Sequence, residues 1–130
     1  MKRFSFRLQT LLDIRKKVED GLKKALASKN VEIATAQQVK QSMVDTLALF
    51  FANEKQHRET SLDARELRLS ISYRAQLQYD ILARDRVINA LFTDAERLRT
   101  MLVGARKDCR ILEILKEKKF AHWKKMRNRE

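Results

Sequence analysis

The chain has 130 residues, one cysteine, two glycines and no proline, and 29 Lys or Arg against 17 Asp or Glu give it a formal net charge of +12. Proline fixes φ and glycine supplies turns, so a chain with almost none of either lacks the means to build the loops on which ordinary active sites sit. A single thiol excludes an intrachain disulfide framework, and what remains is long helices with usable surfaces along them.

In chain order, the first apolar stripe is Leu8, Leu11, Val18, Leu22, Leu26, Ile33, Ala36, Met43, Leu47 and Phe50. It predicts a helix over about residues 5 to 56, with Arg15, Lys29 and Lys40 in intervening seam positions. Such residues either snorkel their long stems to solvent or set register and partner contact. Residues 53–61 then contain no apolar side chain, and Thr60 or Ser61 with Asp63 behind it reads as an N-cap followed by an acidic first turn. A turn at about residues 57 to 62 follows, and a second helix over about 63 to 126. Its stripe is regular: Ile88, Leu91, Ala95, Leu98, Leu102, Ala105, Cys109 and Leu112 alternate steps of three and four, the spacing of a left-handed coiled-coil seam. The same register runs back through Arg84 to Ile81 and Leu77, and becomes polar at Arg74.

The fold class expected is therefore all-α: two long helices in one antiparallel coiled-coil hairpin domain spanning residues 1–130, with the turn near residue 60. Facing residues should have numbers that sum to about 120, as for Leu11 with Cys109, Val18 with Leu102 and Ala36 with Arg84. The competing architecture is one uninterrupted helix that dimerises in parallel, but the polar break would leave a gap of more than two turns in its seam. Cys109 at a seam position reads as a buried structural thiol.

Several functions are excluded or weakened by the same residues. The longest apolar run, 47–52, falls far short of the ~18 residues a membrane-spanning helix requires. Arg7, Asp13 and Arg15 interrupt any signal-peptide core, so a cytoplasmic protein is expected. His57 and His122 lie in different regions and fit no metal-ligand spacing, no phosphate-binding glycine loop occurs, and the carboxylates of a two-helix protein face water. The expectation is a non-enzyme without cofactor or metal.

Charge is unevenly placed. Residues 1–30 hold nine Lys or Arg against three acids, residues 116–130 hold seven against two, and residues 31–115 hold thirteen against twelve. In a hairpin both basic segments come together. Such a concentration serves as a solvated end, or attracts an acidic protein surface, nucleic acid or an anionic membrane. Phe120 and Trp123 among the C-terminal lysines suit nucleic acid, and Phe4, Phe6, Leu8, Leu11 and Leu12 offer an apolar face to a membrane. No nucleic-acid motif accompanies them, and a basic-region zipper carries its basic helix before the heptads.

The N-terminus is more specific. Phe4-Ser5-Phe6-Arg7-Leu8-Gln9-Thr10-Leu11-Leu12-Asp13-Ile14-Arg15, followed by Val18-Glu19, resembles the start of FliJ family proteins, which commonly read FxFRLxxLLxxR. The resemblance implies a small basic component of the flagellar type III export apparatus, lying in the cytoplasm and associated peripherally with the inner membrane at the base of the flagellum. It implies a stalk-like coiled coil that binds and activates the hexameric export ATPase FliI, links it to the FlhA export gate, and escorts export chaperones. It places Phe4, Phe6, Arg7, Leu8, Leu11, Leu12 and Arg15 at the ATPase end, where a hairpin would add Lys119, Phe120 and Trp123. It places the gate contacts toward the turn, for which Met43, Leu47, Phe50, Phe51, Tyr73, Leu77 and Ile81 are the candidates. Met43, Leu47, Leu77 and Ile81 read equally as seam packing. Phe50 and Phe51 are adjacent and cannot both enter one seam, so one of them is expected at the surface beside Tyr73.

Overall fold

The structure, a computed structural model, describes residues 2–58 and 63–129, without the side chains of residues 57 and 58. It contains two helices, α1 (Gln9–Arg58) and α2 (Ala64–Arg129), and no strand among the described residues. Of the predicted turn at about 57 to 62, residues 57 and 58 instead belong to α1, which runs two residues past the expected 56, and the remainder, with Thr60 and Ser61, lies outside the described residues. The helices pack against each other as a helical hairpin. By contacts the chain divides into two compact units, each made from both helices: unit 1 is Met1–Ser28 with Ala95–Glu130, and unit 2 is Lys29–Asp94.

Asp63 starts α2. Its carboxylate accepts the Arg65 backbone N–H at 3.0 Å and its carbonyl accepts that of Leu67 at 3.1 Å, so Asp63 is the N-cap itself and Glu66 is the acid of the first turn. Helix α1 begins at Gln9, four residues later than the pattern predicts. The reason is tertiary: Phe4 is drawn onto the C-terminal part of α2, so the segment before Gln9 is held out of helical geometry. The Gln9 N–H bonds the Phe6 carbonyl, and the first helical bond runs from the Leu12 N–H to the Leu8 carbonyl. At the other end α2 continues to Arg129, past the predicted 126.

The α2 seam is as the spacing predicts, with all eight residues from Ile88 to Leu112 buried or half-buried. The α1 seam differs over its first turns. Leu11 and Val18 are 38% and 49% exposed, whereas Leu12 is 1% exposed and Glu19 is half-buried. The actual stripe, Leu12, Arg15, Glu19, Leu22, Leu26, Lys29 and Ile33, alternates three and four without interruption. The stripe through Leu11 and Val18 needs two consecutive steps of four at Leu22 and Leu26. A narrow two-helix seam tolerates a polar residue more easily than a break in phase.

Pairing also shifts. Arg15 meets Asp108 and Lys29 meets Asp94, numbers that sum to 123; Glu19 meets Arg106 and Lys40 meets Asp85, which sum to 125. The register is thus several residues beyond the expected 120. These pairs, each with at least one partly exposed partner, align the helices more than they stabilise them, because solvent and salt screen such charges.

Gly21 and Gly104 both lie inside helices, and a Cβ built at either meets nothing within 4 Å. Glycine in a helix interior costs roughly 0.5–1 kcal/mol relative to alanine. Gly104→Ala should therefore stabilise the protein by roughly 0.5–1 kcal/mol and raise its melting midpoint, measured by circular dichroism; an unchanged or lower midpoint contradicts an open site there.

Candidate functional site

The site begins with Phe4, whose ring lies 5.1 Å from Phe120 in an edge-to-face arrangement and 5.8 Å from Trp123. Phe120 stacks on Trp123 at 5.7 Å, and the Arg127 guanidinium covers the other part of that cluster, 5.2 Å from the indole centroid. The indole N–H donates to the Lys2 carbonyl at 3.1 Å. Aromatic contacts of this geometry exceed their buried area in value, and the indole donor ties down a backbone carbonyl that helix formation leaves unused.

This arrangement opens a cleft of about 610 Å³ lined by Lys2, Arg3, Phe4, Ser5, Phe6, Arg7, Leu8, Leu115, Lys119 and Trp123. Five of its lining side chains are apolar, Phe4, Phe6, Leu8, Leu115 and Trp123, and four are cations, Lys2, Arg3, Arg7 and Lys119. Of the ten residues expected at this end, Phe4, Phe6, Arg7, Leu8, Lys119 and Trp123 line the cleft. Phe120 stands behind it in the aromatic cluster, Leu12 is core, Leu11 faces solvent, and Arg15 pairs with Asp108 at 3.6 Å. Lys2, Arg3, Ser5 and Leu115 were not anticipated. Leu115 had a signal in the sequence, lying three residues past Leu112; the role of Lys2 is carried by its backbone and has none.

Assigning charges by unit sharpens the electrostatics. Unit 1 holds 20 Lys or Arg and 8 Asp or Glu, and unit 2 holds nine of each, together the 29 and 17 of the chain. Unit 1 therefore carries the whole +12, and unit 2 is neutral.

Elsewhere in unit 1, Glu19 occupies a seam position in contact with Cys109. Lys23, bonded at 3.2 Å, is the main cause of the lowered pKa of Glu19; the Cys109 thiol, which donates to the carboxylate, and Arg106 add to it. Burial raises the pKa of Cys109, and Glu19 raises it further. This thiol is 2% exposed and kept protonated, the environment of an inert cysteine.

In unit 2, Met43, Leu47, Leu77 and Ile81 are half-buried in the seam. Phe50 is also half-buried, with its ring 4.9 Å from Tyr73. Phe51 turns outward under the Arg74 guanidinium at 5.5 Å, and Tyr73 is about half exposed. Leu49, Leu67, Leu69 and Ile71 are exposed in the same unit and were not foreseen, since nothing in their spacing separates a surface leucine from a buried one. Among the described residues no group of His, Cys, Asp or Glu is placed to hold a metal ion, and no helix is long and apolar enough to cross a membrane.

A basic helical hairpin with a cleft lined by aromatic, aliphatic and cationic side chains belongs to the class of helical interaction proteins. The chain belongs to the flagellar FliJ protein family, whose family model matches residues 4–130, and so is a component of the flagellar export apparatus. Comparison with curated proteins and with solved structures gives no match.

Two outcomes check this site. Deleting residues 1–8 should shift the emission of Trp123, the one tryptophan, to longer wavelength as Phe4 and the Lys2 carbonyl leave it; unchanged emission contradicts the cluster. Glu19 has a folded-state pKa below 4.5, so its ionised form contributes stability above pH 4.5 that is lost as pH falls through the folded value. Glu19→Gln should accordingly flatten the acid limb of the stability profile below pH 4.5, measured by urea unfolding, and leave its slope near pH 7 unchanged.

Proposed function

We propose that this chain is the non-catalytic stalk of the flagellar export ATPase, and that unit 1 is the part that engages the ATPase hexamer. One observation carries the reading. The residues that resemble the family motif, Phe4 to Leu8, form the cleft together with Lys119 and Trp123, in the unit that holds all of the net charge. A +12 surface favours an acidic protein surface and speeds encounter with it, while Phe4, Phe6 and Leu8 supply apolar area that survives at physiological salt. Arg7 and Arg15 add donors for carboxylates, and Leu11, Leu12 and Phe120 complete the family segment and its support.

Unit 2 is neutral and exposes Phe51 and Tyr73 beside the half-buried Phe50, an apolar contact surface of the kind a gate protein such as FlhA would meet. Met43, Leu47, Leu77 and Ile81 hold that surface in place from the seam. Export chaperones are further partners of this reading, and association with the inner membrane is peripheral, through the export apparatus.

The test measures the cognate export ATPase with and without the full-length protein. The expected result is co-sedimentation of the two and a higher turnover, with no hydrolysis by this protein alone. Phe4→Ala with Trp123→Ala should lower the stimulation severalfold while circular dichroism stays helical. Absence of association together with unchanged turnover removes the reading. Tight binding to DNA or anionic vesicles that vanishes on deletion of residues 116–130 would put a basic tether in its place.

A further inference from the structure

The segment before α1 is not helical, yet its side chains alternate. Phe4, Phe6 and Leu8 are half-buried, whereas Arg3, Ser5 and Arg7 are exposed. A period of two marks an extended chain, in which successive side chains leave opposite faces, and aromatic residues favour that conformation. The half-buried face is anchored on α2, where Phe4 meets Phe120 and Trp123. A turn closes the segment, the Gln9 N–H returning to the Phe6 carbonyl.

Its main chain is used on one side. In an extended chain the N–H and C=O of one residue point one way and those of the next residue the other. The Lys2 carbonyl is turned toward Trp123, whose indole N–H donates to it at 3.1 Å. The main-chain groups of Arg3 and Ser5 accordingly face away from Trp123. Among the described residues, neither their N–H groups nor their carbonyls form a hydrogen bond within the chain. They stand as the edge of a sheet does, with donors and acceptors open to a further strand.

The charges beside this edge are uncompensated. Residues 2–12 hold three Lys or Arg and residues 118–129 hold six, with no acid in either stretch. The acids nearest along the chain, Asp13 and Glu117, already accept from Gln9 at 2.8 Å and from Arg110 at 3.4 Å. Lys2, Arg3, Arg7 and Lys119, all lining the cleft, form no ion pair among the described residues. A second copy of this chain would bring the same positive charge to the contact. A partner helix would bring a main chain already bonded within itself and leave the edge open. An occupant that meets both demands is acidic and extended.

We propose that the segment before α1 receives a short extended strand of the partner protein, paired through the main chain with Arg3 and Ser5 and alternating acidic with apolar side chains. Its carboxylates lie beside Arg3 and Arg7 on the solvent face, and its apolar side chains enter the cleft beside Phe6 and Leu8. Main-chain pairing supplies affinity, and the alternation of charge and apolar bulk supplies specificity. The inference deepens the reading above, on which the identity of the partner as the ATPase rests, by naming the form in which that partner is held.

The test titrates the full-length protein with a synthetic peptide of about six residues that alternates glutamate with valine, followed by the emission of Trp123. Three further peptides serve as comparisons: the same composition with its glutamates in one block, glutamate alone, and the alternating sequence N-methylated at every second amide. The alternating peptide should bind and slow hydrogen exchange at the Arg3 and Ser5 amides. N-methylation should weaken binding by about tenfold, as loss of one or two main-chain hydrogen bonds does, without any change to the protein. Ser5→Pro removes one N–H outside both helices, so it should weaken binding by a similar factor while circular dichroism is unchanged. No binding, equal binding of the block or all-glutamate peptide, or undiminished affinity after N-methylation or Ser5→Pro each overturns the proposal. Peptide binding without ATPase association removes the ATPase reading and keeps this inference. Undiminished ATPase stimulation by the Ser5→Pro variant does the reverse.

Discussion

One strip of contact per helix holds this protein together, and each strip must stay in phase with the other. Among the described residues there is no second layer, so a side chain that leaves the strip between the helices has little else to be buried against. That constraint explains why the seam accepts Arg15, Glu19 and Lys29 in preference to a slip in spacing. A polar residue at the strip can send its charge to the edge and find a partner there, as Arg15 does with Asp108 and Glu19 with Lys23 and Arg106. A phase slip would rotate every later side chain away from its partner.

The same constraint sorts the chemistry of the surface. With so few residues committed to the interior, most of the apolar side chains in unit 1 and unit 2 are at least partly exposed, and their arrangement differs between the two. Unit 1 carries all the net charge and an ordered aromatic cluster; unit 2 has no net charge and exposes Phe51 and Tyr73 with several aliphatic groups. A component of the flagellar export apparatus thus presents chemically distinct surfaces from a single pair of helices and the non-helical segment before α1, whose residues 2–8 line the cleft.

Much of the fold was legible because helical spacing is local information. From Ile88 to Leu112 every residue that the three-and-four spacing selects is buried or half-buried, although apolar residues outside that spacing, such as Phe92 and Val103, are exposed. The reading failed between Leu8 and Leu22 for the complementary reason: Leu11 and Val18 are apolar without being buried, and Glu19 is at the seam without being apolar. The late start of α1 was illegible in principle, since Phe4 is held by Phe120 and Trp123, more than a hundred positions away. Of the cleft, the motif residues and the C-terminal aromatics could be named in advance, but not their joining through the Lys2 carbonyl.

Cys109 has a practical consequence. It is the sole thiol, sits in the middle of the strip and is almost completely covered. A reagent can reach it only when α1 and α2 part locally, so the speed of its alkylation is a clock for that parting. Run with and without a bound protein, the clock would tell how firmly that partner clamps the two helices, with no label introduced and no residue changed.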